Sequence, residues 1–89
     1  MVTVYVIESL LDNTWYTGMA LDANKRLIEH NSGKNRFTKG HRPWKLIYTE
    51  THSNWVEARV REKYFKSAGG KTFLRKNFLE RGDAGSLPA

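Results

Sequence analysis

Residues Val2 to Ser9 (VTVYVIES) place β-branched or aromatic side chains on both alternating faces, the pattern of a strand covered on two sides. It is predicted to be the central strand of a sheet. Asp12-Asn13-Thr14 supplies turn chemistry, and Trp15 to Met19 (WYTGM) follows as a second, short strand, giving an N-terminal hairpin. Ala20, Ala23, Leu27 and Ile28 then recur at helical spacing, so a helix is expected over Ala20 to Asn31, with Asp22 favourable in its first turn and Asn31-Ser32-Gly33 ending it. Gly33 to Pro43 (GKNRFTKGHRP) is polar, basic and glycine-bearing, and is expected to be a long loop. Trp44 to Glu50 (WKLIYTE) alternates Trp, Leu and Tyr on one side as a third strand. Ser53 or Asn54 caps a helix reaching about Ser67, Ala68-Gly69-Gly70 breaks it, and a last helix runs from Lys71 to about Arg81.

The order β-β-α-β-α-α predicts an α/β domain with a small, mostly antiparallel three-stranded sheet flanked by helices. Residues 1–81 are expected to form one domain and Gly82 to Ala89 (GDAGSLPA) a flexible tail. Three Trp, four Tyr and four Phe in 89 residues make a packed core attainable at this length. The absence of Cys excludes disulfides, thiolate metal sites and cysteine nucleophiles. No apolar run is long enough to span a membrane and no basic leader precedes Val2, so a cytoplasmic protein with no membrane partner is expected.

Charge sharpens this reading. Fifteen Lys and Arg oppose nine Asp and Glu, a formal net of +6, yet the first 23 residues contain no base. Lys25, Arg26, Lys34, Arg36, Lys39, Arg42 and Lys45 face only Glu29, and seven bases between Arg59 and Lys76 face only Glu62. Segregation of this kind suits a polyphosphate partner, namely nucleic acid.

Several residues stand out against that background. Glu62 interrupts the apolar stripe Trp55, Ala58, Phe65 of the long helix, while a second stripe, Val56, Val60 and Tyr64, suggests that both helix faces are covered. A carboxylate in such a place needs a cation, and a structural Glu–Arg pair and a metal ligand both answer that need. Arg26 and His30, four residues apart, share the border of the buried face of the first helix. Tyr5 and Tyr16 fall on adjacent strands where cross-strand packing joins them, and Gly18 inside a strand marks a bulge or a close approach.

Taken together, Thr3-Val4-Tyr5, then Tyr16-Thr17-Gly18, Arg26-Leu27-x-x-His30 and Ala58-x-x-x-Glu62-Lys63 resemble the GIY-YIG nuclease superfamily, in particular its small stand-alone bacterial members related to the UvrC N-terminal nuclease domain. The first motif keeps only its tyrosine, and Thr17 replaces the isoleucine of the second. The resemblance implies a metal-dependent endonuclease hydrolysing phosphodiester bonds, most simply in DNA. In it Tyr5, Tyr16, Arg26, His30 and Glu62 are catalytic, Glu62 holds Mg²⁺ (Mn²⁺ as a substitute), Arg26 stabilises the phosphate, Tyr5 and His30 move the proton, and Gly18 lets the backbone approach substrate. A phenol of pKa near 10 is a poor base at neutral pH, so His30 is an alternative acceptor. Lys34, Arg36, Lys39 and Arg42 read as phosphate clamps and Phe37 or Trp44 as a base-stacking platform, Trp44 being better suited to the core. Stand-alone members of this family often borrow specificity from a partner, so the resemblance also implies a protein partner that supplies it. The competing reading is a nucleic-acid-binding module of the same fold without turnover.

Overall fold

In the computed structural model, residues 1–79 are described. Strand β1 (Val2–Ser9) lies at the centre of an antiparallel sheet ordered β2-β1-β3, with β2 at Trp15–Ala20 and β3 at Trp44–His52. Its two faces bury different sets, as its dense apolar pattern requires. Val2, Val4 and Val6 pack with Ala58, Phe65 and Leu74, while Tyr5 and Ile7 pack with Ala20 and Trp44. Each buried aliphatic side chain contributes about 1.5–3 kcal/mol through its removal from water.

The first of these faces is covered by α3 (Trp55–Lys66) and α4 (Ala68–Leu74), and the second by α1 (Ala23–Asn31), whose Ala23 and Leu27 join Tyr5, Ile7 and Trp44. The expected α/β order therefore holds, with one addition. A short helix, α2 (Arg36–Lys39), forms inside the stretch read as loop, because the Asn35 side chain accepts from the amides of Phe37 and Thr38 and caps it.

Three boundaries differ from the sequence reading. Ala20 belongs to β2, paired with Thr3, so α1 starts only after Asp22, which is its N-cap and accepts from the Lys25 amide. The break between the last helices falls at Ser67, not at Ala68-Gly69-Gly70. Ser67 closes α3 through its amide and caps α4 through Oγ, and Gly70 is already helical, packed so closely on α3 that an added Cβ would lie 1.9 Å from the Tyr64 carbonyl oxygen. The segment expected as a helix from Lys71 is the end of α4 followed by a π-helical turn, Arg75–Leu79; its expected end at Arg81, the domain boundary and the tail lie outside the described residues.

The second stripe of α3 is also corrected. Val56, Val60 and Tyr64 are exposed, since α4 packs beside Phe65 rather than over the outer face. Trp44 is buried, and its indole NH donates to the Thr38 carbonyl, so it serves the core.

Candidate active site

Tyr5 leaves the central strand toward α1 and crosses over edge strand β2 at Gly18, its register partner. A Cβ on Gly18 would lie 2.5 Å from the Tyr5 hydroxyl oxygen and 2.7 Å from Cζ. The space read as room for substrate is thus filled by the phenol, and the glycine is needed to let the ring lie flat across β2. Two residues along β2, Tyr16 stands on the same face, with ring centroids 6.4 Å from Tyr5 and 4.9 Å from His30.

His30 ends α1 almost wholly buried, at 1% exposure, rather than at the border of the buried face, and both of its ring nitrogens are hydrogen bonded. Nε2 lies 2.9 Å from the Tyr5 hydroxyl and Nδ1 2.8 Å from Thr38 Oγ1. Burial first, and then the charge of Arg26, lower the pKa of His30 and favour the neutral ring. The Thr38 hydroxyl donates to the Asn35 carbonyl at 3.5 Å, so it accepts from Nδ1–H. That places the proton of the neutral ring on Nδ1 and leaves Nε2 to accept from the Tyr5 hydroxyl.

The acidities follow from these contacts. Burial pushes the Tyr5 phenol above its ordinary value, with the Arg26 guanidinium opposing. Arg26 is held charged by the Tyr5 phenol and by Glu29, whose Oε1 accepts from Nη1 at 2.8 Å. Arg26 keeps 40% of its side chain exposed and, with Glu29, borders a groove of about 520 Å³ that extends past Asp22 to Trp55 of α3. The groove joins the two helical layers around the free edge of β2.

Glu62 approaches that edge from the opposite layer. On a wheel of about 100° per residue, Ala58 and Phe65 centre the buried stripe of α3, with Arg61 about 50° to one side and Glu62 about 50° to the other. Arg61 binds Glu50 of β3 at 2.7 Å, so the Glu62 flank faces β2. Two neighbours agree: Trp55 borders the groove with Met19 and Arg26, and Lys66 borders a cavity with Trp15, Tyr16 and Thr17. The carboxylate is 15% exposed and takes Lys66 Nζ at 3.2 Å and Arg59 Nε at 3.5 Å, both from its own helix. The structure thus gathers Tyr5, Tyr16 and His30 by direct contact, and Arg26 lines a recess with His30. Glu62 is turned to the same edge without an ion pair to Arg26 among the described residues.

The basic loop divides in the same way. Lys34 lines a small recess with Arg26, Glu29, His30 and Asn35, and Arg36 and Lys39 project from α2 into solvent. Arg42 is not a free clamp. Its Nε donates to the Lys39 carbonyl at 2.9 Å, and its guanidinium occupies the space beside Gly33, whose φ of +86° suits a residue without a side chain. Thr38 and Glu29 were missed in the sequence. Thr38 lay in a stretch read as loop, where no periodicity marks a buried hydroxyl; Glu29, three residues after Arg26 on one helix, was detectable by spacing.

A metal can be weighed against this donor set. Among the described residues no group of three or more His, Cys, Asp or Glu could hold one, which argues against a closed, protein-built cage. A single carboxylate, paired with one lysine and one arginine of its own helix, would fit only a magnesium ion that keeps most of its waters.

These elements define a small α/β domain with a phenol–imidazole–guanidinium site at one sheet edge. The model of the GIY-YIG catalytic domain matches residues 1–77. The chain belongs to the GIY-YIG family, a class of nucleases acting on nucleic acid. It is 43% identical to a UPF0213 protein of Staphylococcus epidermidis over 65 residues, covering 72% of this chain and 78% of that one. A UPF0213 protein of Syntrophus aciditrophicus is 49% identical over 82 residues, or 88% and 93% of the two chains. The solution NMR structure of a UPF0213 protein from Bacillus halodurans shares the fold with a TM-score of 0.55 and 32% identity, over 99% of this chain and 95% of that one. Among the described residues no helix is long and apolar enough to cross a membrane.

Proposed function

We propose that this protein is a divalent-metal-dependent endonuclease that hydrolyses phosphodiester bonds in DNA. The observation that carries the reading is the Tyr5 hydroxyl, 2.9 Å from His30 Nε2, with Arg26 of the same helix as His30 bordering an open groove.

An isolated phenol would be a weak base, and burial makes its ionisation harder still. The hydrogen-bonded pair avoids a free phenolate. As Tyr5 Oη takes the proton of the attacking water, its own proton passes to His30 Nε2, and the resulting imidazolium keeps its Nδ1–H on Thr38. Arg26, facing the groove, binds a non-bridging phosphate oxygen and offsets the charge that builds there during in-line displacement. Tyr16 closes the other side of the pair and orients the water or phosphate. Glu62 would hold the magnesium ion, which when bound polarises the phosphate oxygens. Lys34, Arg36 and Lys39 are left to contact the flanking backbone.

The test is a panel of duplex, branched, flapped and single-stranded DNA incubated with the wild-type chain and with Arg26→Ala, with and without Mg²⁺ or Mn²⁺. Metal-dependent nicking by wild type that Arg26→Ala loses supports the assignment. Salt-sensitive binding without nicking of any substrate would instead leave Glu62 with Arg59 and Lys66 as a structural cluster in a binding module.

A further inference from the structure

A second cavity, of about 280 Å³, lies one aromatic ring away from the Tyr5–His30 pair. It is lined by Trp15, Tyr16, Thr17, Phe37, Lys66 and Lys71. Trp15 and Thr17 face the α3 layer and Tyr16 the α1 layer, so the cavity wraps the free edge of β2. Phe37, on α2, is 58% exposed although its ring touches Tyr16 at 5.9 Å between centroids. Among the described residues no acid lines the cavity and Lys71 has no ion pair, and Arg75 lies over the Trp15 ring at 5.0 Å. A ring more than half exposed, although it also meets His41 at 5.8 Å between centroids, and two lysines around a space of this size match a base joined to its phosphates, and they match neither an acidic metal site nor a purely apolar partner.

We propose that this cavity receives one unpaired nucleobase of the substrate, stacked on Phe37, with the adjoining phosphates on Lys66 and Lys71. The protein would then select nucleic acid that has a base free to leave its stack next to the scissile bond. Tyr16 links the two places: it walls the cavity on one side and touches Tyr5 and His30 on the other. Lys66 likewise reaches both, bordering the cavity while pairing with Glu62. The inference rests on the nucleic-acid reading above and is independent of hydrolysis.

Binding of the full chain is measured by fluorescence anisotropy in EDTA, so that cleavage plays no part. Three DNA probes are used: a fully paired duplex, the same duplex with one bulged nucleotide, and that bulge made abasic; a matching RNA set runs in parallel. The bulged probe of either nucleic acid is expected to bind about 5- to 150-fold more tightly than its abasic counterpart, the range for one base–aromatic stack. Phe37→Ala should remove the difference and Phe37→Trp should keep it, with circular dichroism confirming the fold of both. Equal binding of the three probes, a preference that survives Phe37→Ala, or no binding to any probe would overturn the proposal. Metal-dependent cleavage together with equal binding would refute the base pocket and leave the nuclease reading standing. A bulge preference without cleavage on any substrate would do the reverse.

Discussion

Tyr5 and His30 stand 25 residues apart in sequence and 2.9 Å apart in the fold, hydroxyl to Nε2, with Gly18 as the reason the phenol can reach that far. The central strand supplies the acid partner, the end of the first helix supplies the base, and the edge strand between them is kept bare at one position. Removing the hydroxyl isolates its contribution. Tyr5→Phe preserves the ring that fills the space over Gly18, so stability should change little while single-turnover cleavage falls about 10²- to 10⁴-fold, the usual span for a positioned proton-transfer group.

Gly18→Ala should act through Tyr5. The added methyl overlaps the hydroxyl and Cζ, and both lie on a ring fixed by burial, so the phenol must swing away from Nε2. The expected result is a stability loss of about 1–3 kcal/mol from overpacking, measured by urea denaturation, with an activity loss comparable to that of Tyr5→Phe. Combining the two substitutions should cost little more activity than either alone, because they remove the same bond.

His30 has a depressed pKa, so its neutral form is the one the fold favours. Its contribution to stability is complete above the unfolded value near 6.5 and is lost as pH falls through the lower folded value. Urea denaturation between pH 7 and 5 should show the wild type losing stability toward acid, with a shallower dependence in His30→Gln. Cleavage should weaken in the same direction, since a protonated His30 cannot accept from Tyr5.

Much of this was legible in the chain. Strand alternation gave β1 its limits, placed Tyr5 and Tyr16 on one face, and the four-residue spacing put Arg26 and His30 together. What was illegible depended on tertiary partners. The outer stripe of α3 is apolar in pattern, yet nothing among the described residues buries Val56 or Val60. Thr38 gained its role only because an Asn-capped turn folded a polar stretch against the end of α1. Gly18 looked like a place for substrate because sequence shows an absent side chain without showing whose ring fills the space.

Thr38 is a positioning residue, and Thr38→Val separates its role from a structural one. The isosteric change leaves the buried Nδ1–H without an acceptor, at a cost of about 1–3 kcal/mol. It also frees the tautomer that presents a bare Nε2 to Tyr5. The pH profile of cleavage should therefore shift together with the rate, and Thr38→Ser should restore both.

Glu50 provides a contrast away from the site. Burial works against its charge, but hydrogen bonds from Arg61, Tyr48 and His52 prevail and hold its pKa down to about 2. Its contribution is present above the ordinary carboxylate value of 4.5 and is lost as pH falls toward 2. Glu50→Gln should cost about 1–3 kcal/mol at pH 7, converge with the wild type in acid, and leave the cleavage rate of the folded protein unchanged.

The hydrolytic assignment is tested most directly at Glu62, the carboxylate proposed to hold the metal. Cleavage by wild type and by Glu62→Gln is compared across a Mg²⁺ titration on a DNA that the wild type nicks, with binding measured alongside. Loss of metal-dependent cleavage at all Mg²⁺ concentrations, with DNA binding retained, is the expected result. A Glu62→Gln protein that cleaves at the wild-type rate with the same Mg²⁺ dependence would contradict it.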